Sequence, residues 1–295
     1  MPSKPHTLSA LGLISRLSRA PEEYKGHAGK VILVGGSAGM AGALLLAGNA
    51  CLHLGAGWTI LEMLDPASAH VDHKQPELMI RLANMDPMKS FKDAQPDVLA
   101  IGPGLGTSHF AREWLKACLE SEKIPLVIDA DALNLIADSS ELLSALQLRN
   151  QHYPGQTVLT PHPGEAARLL GQSTSDIQAD RVSAVQKLAS LTQSIVILKG
   201  QHTLIAATGR DILQCEQGNP GMGTGGMGDV LTGSISAIAA QGVRHHLNHL
   251  WDASCVAVQL HASAADSLVQ KGTGPIGLTP SETILEMRAL LNNLL

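Results

Sequence analysis

A chain of 295 residues, 44% of them hydrophobic, is long enough to bury a large core in an open α/β arrangement. A net charge of −5, only 21 Lys plus Arg and no basic run argue against nucleic acid or an anionic membrane as partner, and 2% aromatics leave no base-stacking surface. No apolar run is long enough to span a membrane, Met1 to Ala20 lacks a signal-peptide core, and the separated Cys51, Cys118, Cys215 and Cys255 read as small buried hydrophobes in a reduced, cytoplasmic setting.

In chain order, residues 1–24 are polar around a short amphipathic piece, Leu8 to Leu17, which predicts a leading helix. After a turn at Lys25–Lys30, the all-apolar Val31–Val34 predicts a strand covered on both faces, hence a parallel sheet. Gly35-Gly36-Ser37 ends it, and a helix of small residues follows over about 41–54. Trp58–Met63 predicts a second strand, whereas residues 64–95 carry no clear period. Asp97–Ile101, Pro125–Ile128, Thr157–Thr160 and Ser194–Leu198 predict further strands, with helices over 108–121, from about 132 to 148, and over 165–170 and 176–192. Each strand runs at its C-terminal end into Gly, Pro, Asp, His or Lys. In an open parallel sheet these ends share one edge, so residues near 36, 104, 131, 162 and 199 are expected to converge. Residues 202–208 and 212–217 predict a hairpin about Gly209-Arg210, an antiparallel edge to the sheet. Helices over 249–270 and 281–294 complete the chain. With no repeat, low-complexity tract or linker, one domain over 1–295 is expected.

The stretch from Gly218 to Asp229 stands apart. It holds five glycines between Gly221 and Gly228, then one carboxylate, then an apolar helical run. Glycines allow backbone N–H groups to approach a ligand, and a helix beginning near Gly228 points its free N–H groups and positive dipole end into the same space. That is an anion pocket, with Gly225, Gly226, Met227 and Gly228 as its phosphate-facing turn and Asp229 at the lip as a proton acceptor. Two plainer alternatives stay open: Asp229 as a helix cap, and the glycines as a flexible connector. Neither a GxxxxGK[ST] loop nor a strand–GxGxxG–helix unit is present. His162, between two prolines, either meets a substrate or holds a turn. Asp129 and Asp131 bind substrate or a hydrated cation, or Asp131 caps the following helix. Lys199 meets a phosphate as a point charge or is a solvated strand-end lysine. His245, His246 and His249 have no zinc-ligand spacing, and no GxSxG elbow signals acyl transfer.

Several segments taken together resemble the ADP-dependent NAD(P)H-hydrate dehydratase family, the carbohydrate-kinase-like half of a bifunctional repair enzyme. They are Lys25–Gly29 with Val34–Ser37, Met40–Ala43, Ile101–Gly106, Val127–Asn134, Leu159–Glu165, Leu198–Gly200 and Gly218–Asp229, in family order across about residues 25–240. The resemblance implies a ribokinase-like three-layer α/β sandwich, with a mostly parallel central sheet flanked by helices and an antiparallel edge. It implies restoration of hydrated NADH or NADPH, the S-epimer of NAD(P)HX, with ADP as co-substrate yielding AMP and phosphate, and Mg²⁺ as cofactor. Carried over residue by residue, it implies that Ala43, Gly106, His162 and Asp229 line the hydrated-nicotinamide site, while Lys199, Gly200, Gln201, His202, Thr203 and Gly228 hold the adenine nucleotide. Gln201-His202 replaces the family's usual small residues, and Gly223-Thr224 stands where Ala followed by Thr or Ser is expected. The family's epimerase half is not matched, which implies a separate epimerase as functional partner, and the family implies a homo-oligomer, a tetramer.

The chemistry expected from this is a hydroxyl made into a good leaving group. Asp229 deprotonates it as it attacks the β-phosphate of ADP, and glycine-loop amides stabilise the transferred phosphoryl charge. The dipole of the helix is expected to keep Asp229 ionised, a weak base assisted by position. A vitamin-precursor kinase of the same fold, or a non-catalytic adenine-nucleotide sensor, would share the glycine loop.

Overall fold

The computed structural model describes residues 4–71, 74–242, 247 and 249–295. His245 and His246 lie outside these residues, as does the side chain of His249. The elements in chain order are β1 (His6–Thr7), α1 (Leu11–Ile14), β2 (Lys30–Gly35), α2 (Ala41–His53), β3 (Trp58–Met63), α3 (Pro66–Ala69), β4 (Met79–Leu82), α4 (Pro87–Ala94), β5 (Val98–Ile101) and α5 (His109–Glu120). There follow β6 (Leu126–Ile128), α6 (Ala130–Ala137), α7 (Ser140–His152), β7 (Thr157–Leu159), α8 (Pro163–Leu170), α9 (Thr174–Ala179), α10 (Arg181–Thr192), β8 (Ile195–Leu198), β9 (Leu204–Ala206), β10 (Leu213–Gln214), α11 (Met227–Gly242), α12 (His249–Gln270) and α13 (Pro280–Asn293).

The described strands form one sheet in the order β1-β10-β9-β8-β7-β6-β5-β2-β3-β4. From β8 through β4 every pairing is parallel, and β9 is antiparallel to both of its neighbours. Because side chains alternate across a strand, the continuous apolar runs feed two cores at once. Val31, Leu33, Val127, Val158 and Ile197 point to one face, against α2, α11, α12 and α13. Ile32, Val34, Leu99, Ile128 and Leu198 point to the other, against the helices from α4 to α10. The result is the expected three-layer sandwich, and all four cysteines are buried in it.

Five local expectations are revised. The helix expected over 176–192 breaks at Asp180, whose side chain accepts the Ser183 N–H and caps α10. The leading helix is only α1 and one 3₁₀ turn, Ser15–Leu17, because β1 is drawn instead onto β10, where Leu8 N–H donates to Gln214 O. The unpatterned segment 64–95 holds β4, an edge strand whose Met79 and Leu82 face outward and so give no burial alternation. The single helix expected over about 132–148 is two, since Ser139 caps a new start at Leu142 N–H. Asp131 is not the cap of α6: Asp129 stands at that position, and the Asp131 carboxylate is used elsewhere.

The strand order reverses between β2 and β5. The chain leaves β2 outward through β3 and β4, then returns to β5 and proceeds the other way. In such sheets the crevice for ligands opens outside the strand ends at that reversal. Here the two loops are tied together, with Gly36 N–H donating to Pro103 O and Ser37 N–H to Gly104 O at 2.7 Å. A Cβ at Gly35 would sit 2.0 Å from Pro103 O, so only glycine permits this approach.

Candidate functional site

The expected convergence is found, and it is built link by link from strand ends. Asp129 follows β6, Lys199 follows β8 and Glu165 lies in the first turn of α8. Lys199 Nζ is 2.7 Å from Asp129 Oδ1 and 4.0 Å from Glu165 Oε2. Thr232 of α11 donates to Asp129 Oδ2 at 2.8 Å, so the helix carrying Asp229 is fixed to the same carboxylate. Asp131 takes the Gly106 N–H at 2.8 Å, which ties the loop after β5 to α6. Ala130 has a φ of 49°, a left-handed conformation uncommon outside glycine, at the turn that places Asp129 and Asp131 on this edge.

His162 does the structural work that was one of its two readings. It caps α8, its Nδ1 accepting the N–H groups of Gly164 (2.9 Å) and Glu165 (3.3 Å). Its own N–H donates to Glu165 Oε2 at 2.7 Å, completing a capping box. With Nδ1 accepting, the ring proton is on Nε2, which faces Glu165 Oε1 at 3.3 Å. Burial and the nearby Lys199 cation push the His162 pKa down, so the ring is neutral. It still presents its outer edge to solvent, so capping and contact with a substrate are compatible.

The electrostatics revise one expectation. Asp229 is not held ionised by the helix dipole. Burial first, then the neighbouring Asp129 carboxylate, push its pKa up to about 7, and the Lys199 cation does not offset them. Glu165 is raised to about 7 as well, by burial against the opposing pull of Lys199. For Lys199 itself burial disfavours the charge, but Asp129 and Glu165 outweigh it and its pKa is raised. One firmly held cation therefore stands among carboxylates that share the task of balancing it.

The glycine stretch leads through a tight turn into the N-terminus of α11. Pro220–Gly223 is a 3₁₀ turn, Gly226 has a φ of 98°, and α11 begins at Met227. Gly225 is exposed with open space where a side chain would stand. A Cβ at Gly228 would lie 3.0 Å from Lys199 Nζ, which puts the start of α11 directly against the lysine. Ala43 borders the same crevice, its Cβ 3.3 Å from where a Cβ on Gly104 would be. Beyond Lys199, Gly200 has a φ of 129° and accepts from Thr203 Oγ1. Gln201 and His202 are exposed, and His202 Nδ1 lies 3.2 Å from Glu216 Oε2.

Sequence reasoning passed over Glu165 and Thr232. Both carried a positional signal: Glu165 is three residues after His162, the spacing of a capping box, and Thr232 is three after Asp229, the same face of a helix.

The mostly parallel sheet flanked by helices, with an antiparallel edge and a glycine-rich loop at a helix N-terminus, is a ribokinase-like α/β sandwich. More narrowly, the chain belongs to the NAD(P)H-hydrate dehydratase family, whose sequence profile it matches over residues 31–286. It is 38% identical to the ADP-dependent (S)-NAD(P)H-hydrate dehydratase of Neisseria meningitidis serogroup B, covering 94% of this chain and 90% of that one. It is 41% identical to the bifunctional NAD(P)H-hydrate repair enzyme Nnr of Vibrio cholerae, over 91% of this chain but 51% of the relative, so it spans about half the length of such bifunctional relatives. Among solved structures, the ADP/ATP-dependent NAD(P)H-hydrate dehydratase of Bacillus subtilis, co-crystallised with ATP and Mg²⁺, superposes with a TM-score of 0.78 at 26% identity, covering 98% of this chain and 99% of that one.

Proposed function

We propose that this protein removes water from the S-epimer of hydrated NADH or NADPH, using ADP and releasing AMP and phosphate. The observation that carries the reading is Asp229, a carboxylate raised to about 7 at the N-terminus of α11, between a glycine-rich loop and the Lys199 cation. A base is most effective when its pKa lies near the working pH. Asp229 takes the proton of the substrate hydroxyl as that oxygen attacks the β-phosphorus of ADP, and AMP leaves. The hydroxyl has become a phosphate ester. The ring nitrogen lone pair expels it as phosphate, and loss of a proton from C5 restores the double bond. Loop amides from Gly225 to Gly228, with the dipole of α11, stabilise charge on the transferred group. Lys199 supplies a fixed cation, and Asp129 holds it.

In this reading Ala43, Gly106 and His162 line the hydrated nicotinamide with Asp229, and Lys199 to Thr203 with Gly228 hold the adenine nucleotide. Mg²⁺ is compatible with the donor set. It binds hard oxygens, commonly through one or two carboxylates plus nucleotide phosphates and water. No group of three or more His, Cys, Asp or Glu among the described residues is arranged as a self-sufficient metal cage. The ion would neutralise phosphate charge, held chiefly by the nucleotide phosphates and water. A separate epimerase, a cytoplasmic setting and a homotetramer belong to the same reading. Light scattering tests the last, and a monomeric mass would remove it.

The function is tested by mixing the protein with hydrated NADH, Mg²⁺ and ADP, and following the near-ultraviolet absorbance of reduced nicotinamide together with phosphate release. Both should rise in equal amounts. A stable phosphorylated alcohol without renewed absorbance would mark a kinase instead, and bound ADP with no turnover would mark a sensor.

A further inference from the structure

The entry to the glycine-rich loop is held from outside the site, by a carboxylate on α12. Asp266 Oδ2 accepts the Gly218 N–H at 2.8 Å, and Asp266 Oδ1 accepts from Asn219 Nδ2 at 2.9 Å. Asn219 then passes the constraint on, its Oδ1 accepting the Gly221 N–H at 3.0 Å. Gly221 O in turn accepts from Thr224 Oγ1 at 3.1 Å. Hydrogen bonds thus run from Asp266 to the middle of the loop, and each donor in them has one defined acceptor. The same turn of α12 reaches the far end of the loop as well. Ala265 and Leu268 pack with Met227, the first residue of α11, and with Met222, in a small apolar cluster separate from the two main cores. Gly218 has a φ of 111°, and Asn219 opens the 3₁₀ turn. A loop this rich in glycine has much conformational freedom to lose, and a ligand that must order it binds less tightly.

We infer that Asp266 and Asn219 form a clasp that pre-orders the phosphate loop, with Asp266 as a positioning residue for the nucleotide rather than a group that touches it. The inference rests on the reading that this loop receives ADP. The polarity of the clasp makes it testable. With Asp266→Asn, an amide N–H₂ must face one of two other donors. With Asn219→Asp, two carboxylates face each other. In the double variant the amide introduced on α12 offers its oxygen to the Gly218 N–H and its N–H₂ to the carboxylate introduced in the loop. That carboxylate also accepts the Gly221 N–H, so every hydrogen bond is restored with the roles exchanged.

The measurement is Mg·ADP affinity by calorimetry for wild type, both single variants and the double variant, with thermal midpoints and wild-type turnover recorded beside it. Each single variant should weaken ADP about tenfold, the order expected for leaving a polar partner unmatched, and the double variant should recover to within about threefold of wild type. Single-variant affinities unchanged within about twofold, or affinities that are lost and not recovered in the double variant, would overturn the clasp. A drop in thermal midpoint with ADP affinity retained would also overturn it, since it would leave Asp266 a merely structural role. Wild type that binds ADP without restoring hydrated NADH would sink the proposed reaction and leave the clasp to be judged by the affinities alone.

Discussion

At the scale of single residues, the site works by disagreement between a side chain and its surroundings. Asp229 would ionise readily in water, but burial and Asp129 hold its pKa near 7. The sign of the consequence for stability follows from linkage. The folded pKa lies above the unfolded one, so the native state binds the extra proton between about pH 4 and 7, and the stability associated with that proton is lost as pH rises through the folded value. Asp229→Asn should therefore raise the thermal midpoint at pH 8 by a few degrees, at about 2–4 °C per kcal/mol for a chain this large, and leave it unchanged near pH 4. The same substitution should lower kcat about 10²–10⁴-fold. In wild type, kcat/KM should fall as pH drops below about 7, a limb that belongs to Asp229 and Glu165 together because they share Lys199. Retained turnover in Asp229→Asn, measured by phosphate release, would remove Asp229 as the base.

At the scale of elements, the position of Asp229 depends on how closely α11 can lie against α2. Both helices are made largely of small residues, Ala41–His53 on one side and Met227–Gly242 on the other. A Cβ at Gly233 would sit 1.9 Å from Ala47 O, a backbone atom that cannot step aside. Gly233→Ala should cost about 1–3 kcal/mol in urea unfolding, or more, by forcing the helices apart. It should also lower turnover through the shifted helix start, although the residue is a full turn from Asp229. A neutral effect on stability would mean that α11 is free to slide. Small-residue composition was visible in the sequence, and the bounds of α2 followed from it almost to the residue. The contact between the two helices was not visible, because composition says that an element can pack closely but not against which partner. β4 escaped for the opposite reason: as an edge strand with Met79 and Leu82 outward, it lacks the burial that writes a pattern into sequence.

At the scale of the whole molecule, one topological fact gathers the site. Strand ends scattered from residue 35 to residue 199 share an edge because the sheet is parallel from β8 to β4, and the crevice opens where the strand order reverses between β2 and β5. That convergence was readable from sequence, since each strand runs into Gly, Pro, Asp, His or Lys. The partnerships within it were not. Lys199 with Asp129, Gly106 with Asp131 and Asp129 with Thr232 join residues 70, 25 and 103 positions apart. Periodicity carries no information about such pairs, nor about the burial and the neighbouring Asp129 carboxylate that raise the pKa of Asp229.

The central claim is that the substrate hydroxyl itself attacks ADP and departs as phosphate. Hydrated NADH carrying ¹⁸O in the C6 hydroxyl tests it directly, with the released phosphate analysed by mass spectrometry after a single turnover in unlabelled water. The account predicts one ¹⁸O atom in each phosphate formed. Unlabelled phosphate, with the label lost to water, would mean that ADP is hydrolysed separately from the dehydration, and the mechanism built on Asp229 and the glycine-rich loop would be wrong.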